Sequence, residues 1–205
     1  MNKNKLKYLL LMFMAVFAMA SCSETDEDKV EFPDWANKNN EAFNKVYAHA
    51  KQKVHEGDPN WKIICAWSFT DDYPFADDEH IVVNVLSNGD LAGDTPMYTD
   101  SVFIAYSGNL LPSTSFPNGY NFDKSYTGDF NPETVFPMGT GMTNFVDGFT
   151  TALLHMHRGD YWRVYIPSRL AYGNMLHAVI PQNSMLIFDI YLFDFMRPGS
   201  NRDDK

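Results

Sequence analysis

The sequence predicts an α+β domain in which a twisted antiparallel β-sheet wraps around one short helix, preceded by an extra N-terminal amphipathic helix. Three observations lead to this fold class. Aromatic residues make up 15% of the chain and fall in short runs between Gly, Pro and Asn, which favours β-structure. Several segments alternate apolar and polar residues, as half-buried antiparallel strands do. Two other segments show the three- and four-residue apolar spacing of a helix.

Length and composition exclude several classes of protein. A chain of 205 residues, 45% of them hydrophobic, has room for one sizeable domain or two small ones and can bury a core. Intrinsic disorder is therefore excluded for most of the chain. The net charge of −10 would repel polyphosphate, so we expect no nucleic-acid partner.

Residues 1–21 are predicted to be the signal peptide of a lipoprotein. Three lysines precede an apolar run, residues 8–19, that is too short for a membrane span with stop-transfer flanks. Residues 19–22, Met-Ala-Ser-Cys, resemble the lipobox of bacterial lipoproteins, in which the Cys is acylated, for example with palmitate, and becomes the mature N-terminus. We expect a lipid at Cys22 and a location in the cell envelope, at the outer membrane, facing the periplasm or the cell surface. A plain cleaved signal is the alternative.

The segment after the predicted cleavage site has the composition of a tether. Cleavage removes three lysines and no acid, which changes the net charge from −10 to −13, so the lipid rather than surface charge must hold the protein to the membrane. Residues 22–32 are acidic and polar and are predicted to be a flexible tether between lipid and fold. Residues 198–205 are predicted to be a polar tail.

The first predicted helix covers residues 33–57. Its apolar residues recur every three or four positions from Trp35, and Gly57, Asp58 and Pro59 end it. This stripe must be covered by the following domain or by a second copy of the chain. Since the connection to the next element is short, we expect packing on its own domain and a monomer, with a dimer as the alternative. The stripe consists of Phe43, Val46, Tyr47, Ala50 and Val54.

The domain predicted for residues 58–197 begins with two strand-like runs, Trp61–Phe69 and Ile81–Leu86. Cys65 lies in the first run between apolar neighbours. With Cys22 acylated, Cys65 has no partner for a disulfide within the chain, so we expect a buried, unreactive thiol.

Three further segments, at residues 101–106, 161–166 and 186–192, alternate as antiparallel strands do. Between the first two lies a short predicted helix that begins at Asp147 and is closed by Gly159. An antiparallel sheet with one short helix is an α+β arrangement.

Five motifs follow one another in this part of the chain. They lie at residues 102–108 (V-F-I-A-Y-S-G), 121–125 (N-F-D-K-S), 145–149 (F-V-D-G-F), 158–173 (R-G-D-Y-W-R-V-Y-I-P-S-R-L-A-Y-G) and 180–190 (I-P-Q-N-S-M-L-I-F-D-I). In this order they resemble the motifs V-x-V-x-Y-T-G, F-D-S, V-I-x-G-W, G-x-x-x-x-x-x-I-P-x-x-L-A-Y-G and I-P-P-N-S-T-L-V-F-D-V of the FKBP-type peptidyl-prolyl cis-trans isomerases. The resemblance extends over about residues 83–195 and implies the FKBP fold.

The resemblance also implies a function and a mechanism. Rotation about an X-Pro bond must break amide resonance, over a barrier of roughly 20 kcal/mol. An aromatic pocket that excludes water and donates a hydrogen bond to the twisted amide lowers this barrier without a nucleophile, metal or cofactor. We expect an isomerase that acts on proline-containing polypeptides and assists the folding of extracytoplasmic proteins. The alternative is a non-catalytic FKBP-like module that binds a peptide or scaffolds a membrane complex.

The site residues follow from the family motifs. The family's Tyr that matches Tyr172 binds the substrate carbonyl, and its acid that matches Asp123 lies at the rim of the pocket. The catalytic residues are therefore predicted to be Tyr172, Asp123, Phe122 and Tyr106. The substrate-binding residues are predicted to be Phe136, Val146, Phe149, His177, Ile180 and Phe188.

The sequence departs from the family pattern at three places. Phe149 replaces the Trp that forms the floor of the pocket, and residues 174–179 lack the usual glycines. Residues 110–120 are longer than the usual hairpin, and we expect them to lie beside the pocket and narrow it. Phe136 is assigned only from its distance to Gly148. These departures keep the non-catalytic alternative open.

Other residue patterns give weaker indications of chemistry. His155 and His157 are two apart on the predicted helix and cannot share a face, so a metal pair is not expected. The acids among residues 71–79 are expected to form a solvated loop. Residues 139–141, Gly-Thr-Gly, are expected to form a turn, because no G-K-[ST] follows them. We therefore expect neither a metal nor a cofactor.

Overall fold

The computed structural model describes residues 31–69 and 75–200. The predicted signal peptide, Cys22, most of the predicted tether and the end of the predicted tail lie outside them. Two helices, α1 (Trp35–His55) and α2 (Asp147–His155), accompany seven strands. The predicted α+β fold class is confirmed, including the extra N-terminal helix. The strands are β1 (Trp61–Cys65), β2 (His80–Ser87), β3 (Ser101–Asn109), β4 (Asn121–Lys124), β5 (Met138–Gly141), β6 (Tyr161–Ile166) and β7 (Leu186–Met196).

The seven described strands form one antiparallel sheet in the order β1-β2-β6-β7-β3-β4. One edge of β3 pairs with β7. On its other edge, β5 pairs with the first half of the strand and β4 with the second half. Strand β5 contains the Gly-Thr-Gly segment, so the turn expected there is wrong. A Cβ at Gly139 would lie 2.9 Å from the ring of Phe103, and the missing side chain lets β5 pass over that ring.

Helices cover both faces of the sheet. Helix α2 packs on the face that carries Ile81 and Val83, and α1 packs on the face that carries Val82. Neighbouring residues of a strand point to opposite faces, so β2 is apolar at all three consecutive positions. The fold is therefore three layers, with the sheet in the middle.

Helix α2 approaches the sheet most closely at Gly148. A Cβ at this position would lie 2.4 Å from Cγ2 of Ile166 and 3.1 Å from Cγ2 of Ile81. Any side chain would therefore push the helix away from the sheet, so glycine sets the distance between the two layers.

Buried hydrogen bonds fix the start of α1 to the segment before β7. The Trp35 indole N–H donates to the Ser184 hydroxyl over 2.8 Å. Asn39 is 2% exposed, donates to the carbonyl of Trp35 over 2.7 Å and accepts the backbone N–H of Met185 over 2.8 Å. These contacts join residues almost 150 positions apart and determine where α1 lies on the domain.

The predicted apolar stripe of α1 packs on its own domain, as expected. Phe43 and Ala50 are buried against Val82 and Met185, with Val46 and Tyr47 half-buried beside them. Val54, in the last turn, is 46% exposed, so the covered stripe ends one turn earlier than the sequence predicts.

Two smaller expectations were wrong. Cys65 is half-buried rather than buried, because β1 is an edge strand of the sheet and all five of its residues are half-buried. Glu79 is buried and pairs with Arg169 over 2.5 Å instead of lying in a solvated loop. Residues 110–120 contact the N-terminal end of the described chain, where the hydroxyls of Ser113 and Ser115 donate to the Glu31 carboxylate and lower its pKa.

Among the described residues, neither helix combines the length and the apolar character that a membrane crossing needs.

Replacing Asn39 with Ala should lower the free energy of unfolding by about 2 kcal/mol, because the buried Met185 N–H loses its acceptor. Asn40→Ala is the matched control, because Asn40 is the next residue and is exposed. This variant should change the free energy of unfolding by less than about 0.5 kcal/mol. Urea unfolding followed by circular dichroism measures both. Equal losses in the two variants would contradict this role of Asn39.

Candidate functional site

A small cavity opens between β3, β4, α2 and the loop after β6. Its volume is about 110 Å³, well below the ~300 Å³ at which pockets for drug-sized ligands begin. It has room for a single compact side chain. We call it the aromatic cup; it is lined by Tyr106, Phe122, Asp123, Asn144, Phe145, Val146, Phe149, Tyr172 and Phe188.

Phe149 forms the floor of the cup and is 1% exposed. The ring centroid of Phe188 lies 4.9 Å away and that of Tyr106 5.6 Å away, both edge-on. The ring of Phe145 stacks on Phe149 at 4.4 Å. Because each ring is held by its neighbours in a favourable geometry, the apolar walls are rigid before any substrate arrives.

Gly108, on β3, lets two wall residues meet. A Cβ there would lie 2.6 Å from ring atoms of both Phe122 and Phe188. Without it, the rings of Phe122 and Phe188 pack edge-to-face with their centroids 5.4 Å apart. The family motif at residues 102–108 thus ends in a glycine for a steric reason.

The hydroxyl of Tyr106 is already engaged. It donates to Oδ2 of Asp123 over 2.7 Å, across the paired strands β3 and β4. Burial, and then this hydrogen bond and the negative charge of Asp123, raise the pKa of Tyr106. Tyr106 and Asp123 therefore form one fixed unit at the rim, with the phenol protonated.

The hydroxyl of Tyr172 is available for a ligand. The loop Pro167–Gly173 carries this residue, and its ring stacks on the His177 imidazole with a centroid distance of 3.9 Å. No hydrogen bond joins the Tyr172 hydroxyl to any residue of the described ranges. Burial, and then the charge of Asp123, raise the pKa of Tyr172, so its hydroxyl is a proton donor at neutral pH.

The structure brings most of the predicted site residues together. All four predicted catalytic residues line the cup, as do Val146, Phe149 and Phe188. His177 and Ile180 lie behind Tyr172 instead. Their backbones exchange hydrogen bonds of 3.2 and 2.8 Å, which closes the loop that holds His177 against the Tyr172 ring.

Phe136 does not line the cup, contrary to the prediction. Its side chain is 90% exposed. The segment between β4 and β5 is held on the opposite face of the sheet, where Phe130 packs 4.8 Å from Tyr161 and 5.3 Å from Tyr191. Because this contact carries the chain away from the cup, counting residues back from Gly148 gave the wrong aromatic residue.

Phe145 and Asn144 also line the cup, although neither was predicted there from the sequence. Phe145 begins the motif at residues 145–149, and its place one residue before Val146 was the signal that could have identified it. Asn144 ends a short 3₁₀ turn, Met142–Asn144, and had no such signal.

No group of three or more His, Cys, Asp or Glu side chains is placed to hold a metal ion within residues 31–69 and 75–200. The cup offers one carboxylate, two phenols and one amide. This set can bind and orient an amide group by hydrogen bonds and contains no strong nucleophile.

Comparisons with known proteins agree with the geometry. The pattern of the FKBP-type peptidyl-prolyl cis-trans isomerase family matches residues 93–193. FkpA, an FKBP-type peptidyl-prolyl cis-trans isomerase of Escherichia coli K12, is 32% identical over 113 residues, which cover 55% of this chain and 37% of FkpA. The peptidyl-prolyl cis-trans isomerase Mip of Coxiella burnetii is 36% identical over 101 residues, which cover 49% of this chain and 39% of Mip. The match thus spans little more than a third of these relatives.

A solved structure shows the same fold. The crystal structure of a peptidyl-prolyl cis-trans isomerase from Pseudomonas syringae aligns with a TM-score of 0.53 and 24% sequence identity, over 79% of this chain and 96% of that one.

The two cup tyrosines should make the protein sensitive to alkali. An unfolded Tyr ionises near pH 10.0, whereas the raised pKa values keep both phenols protonated in the fold. Their contribution to stability is complete below pH 10 and is lost as the pH rises towards the folded values. We expect the free energy of unfolding to fall above about pH 10, and to fall less steeply in Tyr106→Phe. Urea unfolding at a series of pH values measures the slope; equal slopes in both proteins would contradict the assignment.

Proposed function

Since this chain carries a domain of the FKBP-type peptidyl-prolyl cis-trans isomerase family at residues 93–193, we propose that it catalyses the cis-trans isomerisation of X-Pro bonds in polypeptides. One observation carries this proposal: the Tyr172 hydroxyl lines the cup without a hydrogen bond to another described residue, whereas the Tyr106 hydroxyl is bound to Asp123. An aromatic pocket with a free hydroxyl donor suits a planar amide that must twist.

The proposed mechanism needs only desolvation and one directed hydrogen bond. Water stabilises the charge separation of the planar amide, so an apolar cup of aromatic rings favours the twisted state by comparison. The proline ring occupies the cup above Phe149, and Tyr172 donates to the carbonyl oxygen of the substrate. Preorganised rings and a fixed hydroxyl then require little rearrangement as the bond rotates.

The floor is compatible with this mechanism although it lacks the family's Trp. Phe145 stacks on Phe149 at 4.4 Å, so two phenyl rings side by side provide the apolar surface. The cavity above them is small, which matches a proline ring rather than a larger group.

We further propose that a lipid at Cys22 anchors the protein in the cell envelope, where it assists the folding of extracytoplasmic polypeptides. The lipobox-like residues 19–22 support this location. We propose a monomer, since the domain itself covers the apolar stripe of α1.

Tyr172→Phe should lower kcat/KM about tenfold, because one hydrogen bond is lost while the ring still fills its space. Phe122→Ala should reduce it further, since truncation admits water beside the twisting bond, and Leu-Pro peptides should lose more than Glu-Pro peptides. Phe136→Ala is the matched control: this exposed Phe lies outside the cup, so the variant should keep the wild-type rate. Peptide isomerisation is measured for each, with circular dichroism to verify folding.

Two results would contradict the proposal. If Tyr172→Phe and Phe122→Ala fold and keep the wild-type rate, the site lies elsewhere. If the full-length protein does not accelerate proline-limited refolding of a test protein, a non-catalytic peptide-binding function replaces the isomerase.

The lipid proposal has its own test. Cys22→Ser should move the protein from the membrane fraction to the soluble or unprocessed pool, because the thiol that would accept the acyl chains is gone. Palmitate labelling followed by fractionation measures this. Labelling that persists in the variant would show that Cys22 is not the anchor.

A further inference from the structure

A second cavity, larger than the aromatic cup, lies between helix α1 and the loops that follow β6 and precede β7. Its volume is about 360 Å³, which falls in the ~300–1,000 Å³ range of ligand sites. Buried Phe43 and Met185 contribute to its lining. We call it the amide groove, after its polar lining residues Asn40, Asn44, Asn183, Asp77, Asp78 and Ser168.

Three side-chain amides of the groove are available for hydrogen bonds to a ligand. The side chains of Asn40, Asn44 and Asn183 form no hydrogen bond with another residue of the described ranges. Asn39, next to them, uses its amide to fix α1. A side-chain amide offers a donor and an acceptor together, which is also what each peptide unit of a backbone offers. The groove therefore matches an extended polypeptide better than an ion.

The lining disfavours a sugar or a nucleobase. Such ligands bind through an exposed aromatic face, and Phe43, the aromatic residue of the described lining, is 3% exposed. The floor offers contact for aliphatic parts of a chain but no stacking surface.

The charge of the groove selects a basic side chain. Asp77 and Asp78 contribute two carboxylates, and no Lys or Arg belongs to the described lining. Asp77 accepts a hydrogen bond from the Tyr47 hydroxyl. Arg169 pairs with both Glu79, at 2.5 Å, and Asp78, at 3.5 Å, so this one cation is shared by two carboxylates and the cluster keeps a net negative charge. An Arg or Lys entering the groove gains charge-assisted hydrogen bonds to both aspartates.

The amide groove lies close to the aromatic cup along the chain. Ser168, in its wall, and Tyr172, in the cup, are four residues apart on one loop, so their Cα atoms are at most about 14 Å apart. The N–H of Asn183 donates to the carbonyl of Gly173 over 2.7 Å, which ties the groove to the same loop. The cup lies on the α2 side of the sheet and the groove on the α1 side, so a bound peptide passes around this loop. Four extended residues reach about 14 Å.

We propose that the amide groove binds a basic residue of the polypeptide whose proline occupies the aromatic cup, about four residues from that proline. The inference rests on the proposed isomerase function. It makes basic, proline-containing segments the preferred substrates, and it assigns α1 to substrate selection.

Fluorescence anisotropy with the full-length protein tests this. Peptides carry Leu-Pro with Arg four residues before or after it, and matched peptides carry Gln there. At one of these two positions, before or after the proline, the Arg peptide should bind the wild type about tenfold more tightly than the Gln peptide with the same spacing. The double variant Asp77→Asn/Asp78→Asn should lose this preference, and Asn40→Ala/Asn44→Ala should weaken both peptides of that pair. Glu56→Gln, which removes a charge from the far end of α1, should leave the preference intact.

Equal affinity of the wild type for the Arg and Gln peptides would overturn the inference, as would a loss of preference in Glu56→Gln equal to that in the aspartate variant. The isomerisation rate of a short Leu-Pro peptide without a basic residue is measured in parallel. If the protein accelerates isomerisation of this short peptide while the Arg and Gln affinities are equal, only the groove proposal is contradicted. If the protein does not accelerate it, the proposed isomerase function is contradicted. A proline-free Arg peptide that still binds through Asp77 and Asp78 would then show an independent peptide site.

Discussion

The close approach of helix α2 to the sheet at Gly148 sets the depth of Phe149, the floor of the aromatic cup. Ile166 and Ile81 fill the space that a side chain at this position would need. Since Phe149 follows directly, its ring enters the core at the depth where it meets Phe188 and Tyr106. A wider gap would separate these rings, and the cavity would fill with water.

The hydroxyls of Tyr106 and Tyr172 both lie near the Asp123 carboxylate, but their hydrogen bonding differs. The Tyr106 hydroxyl donates to Asp123, whereas the Tyr172 hydroxyl forms no hydrogen bond with another described residue. The same charge raises the pKa of both phenols, after burial has raised it. The cup therefore has a defined polarity, with an engaged rim on β3 and β4 and a free donor on the opposite loop.

The sequence alone was sufficient for both helices, for strands β1, β2, β3, β6 and β7, and for most cup residues inside the motifs. Alternation in β6 and β7 predicts one buried face because side chains alternate across a strand. The fully apolar run Ile81–Val83 already indicates that both faces of β2 are covered. Tyr106, Phe122 and Tyr172 line the cup, and each lies in a motif whose spacing is fixed by the strands and turns around it.

Only the tertiary structure decided which residues outside the motifs belong to the site. Phe136 lies outside the motifs, and its distance from Gly148 placed it in the cup, whereas its side chain is 90% exposed. The packing of Phe130 on Tyr161 and Tyr191 directs the intervening chain to the other face of the sheet. Likewise, Asn39 and Asn40 are identical neighbours in the sequence, yet one holds α1 in place and the other opens into a groove. Local pattern determines which way a side chain points along its own helix or strand, whereas contacts between distant segments determine what it meets there.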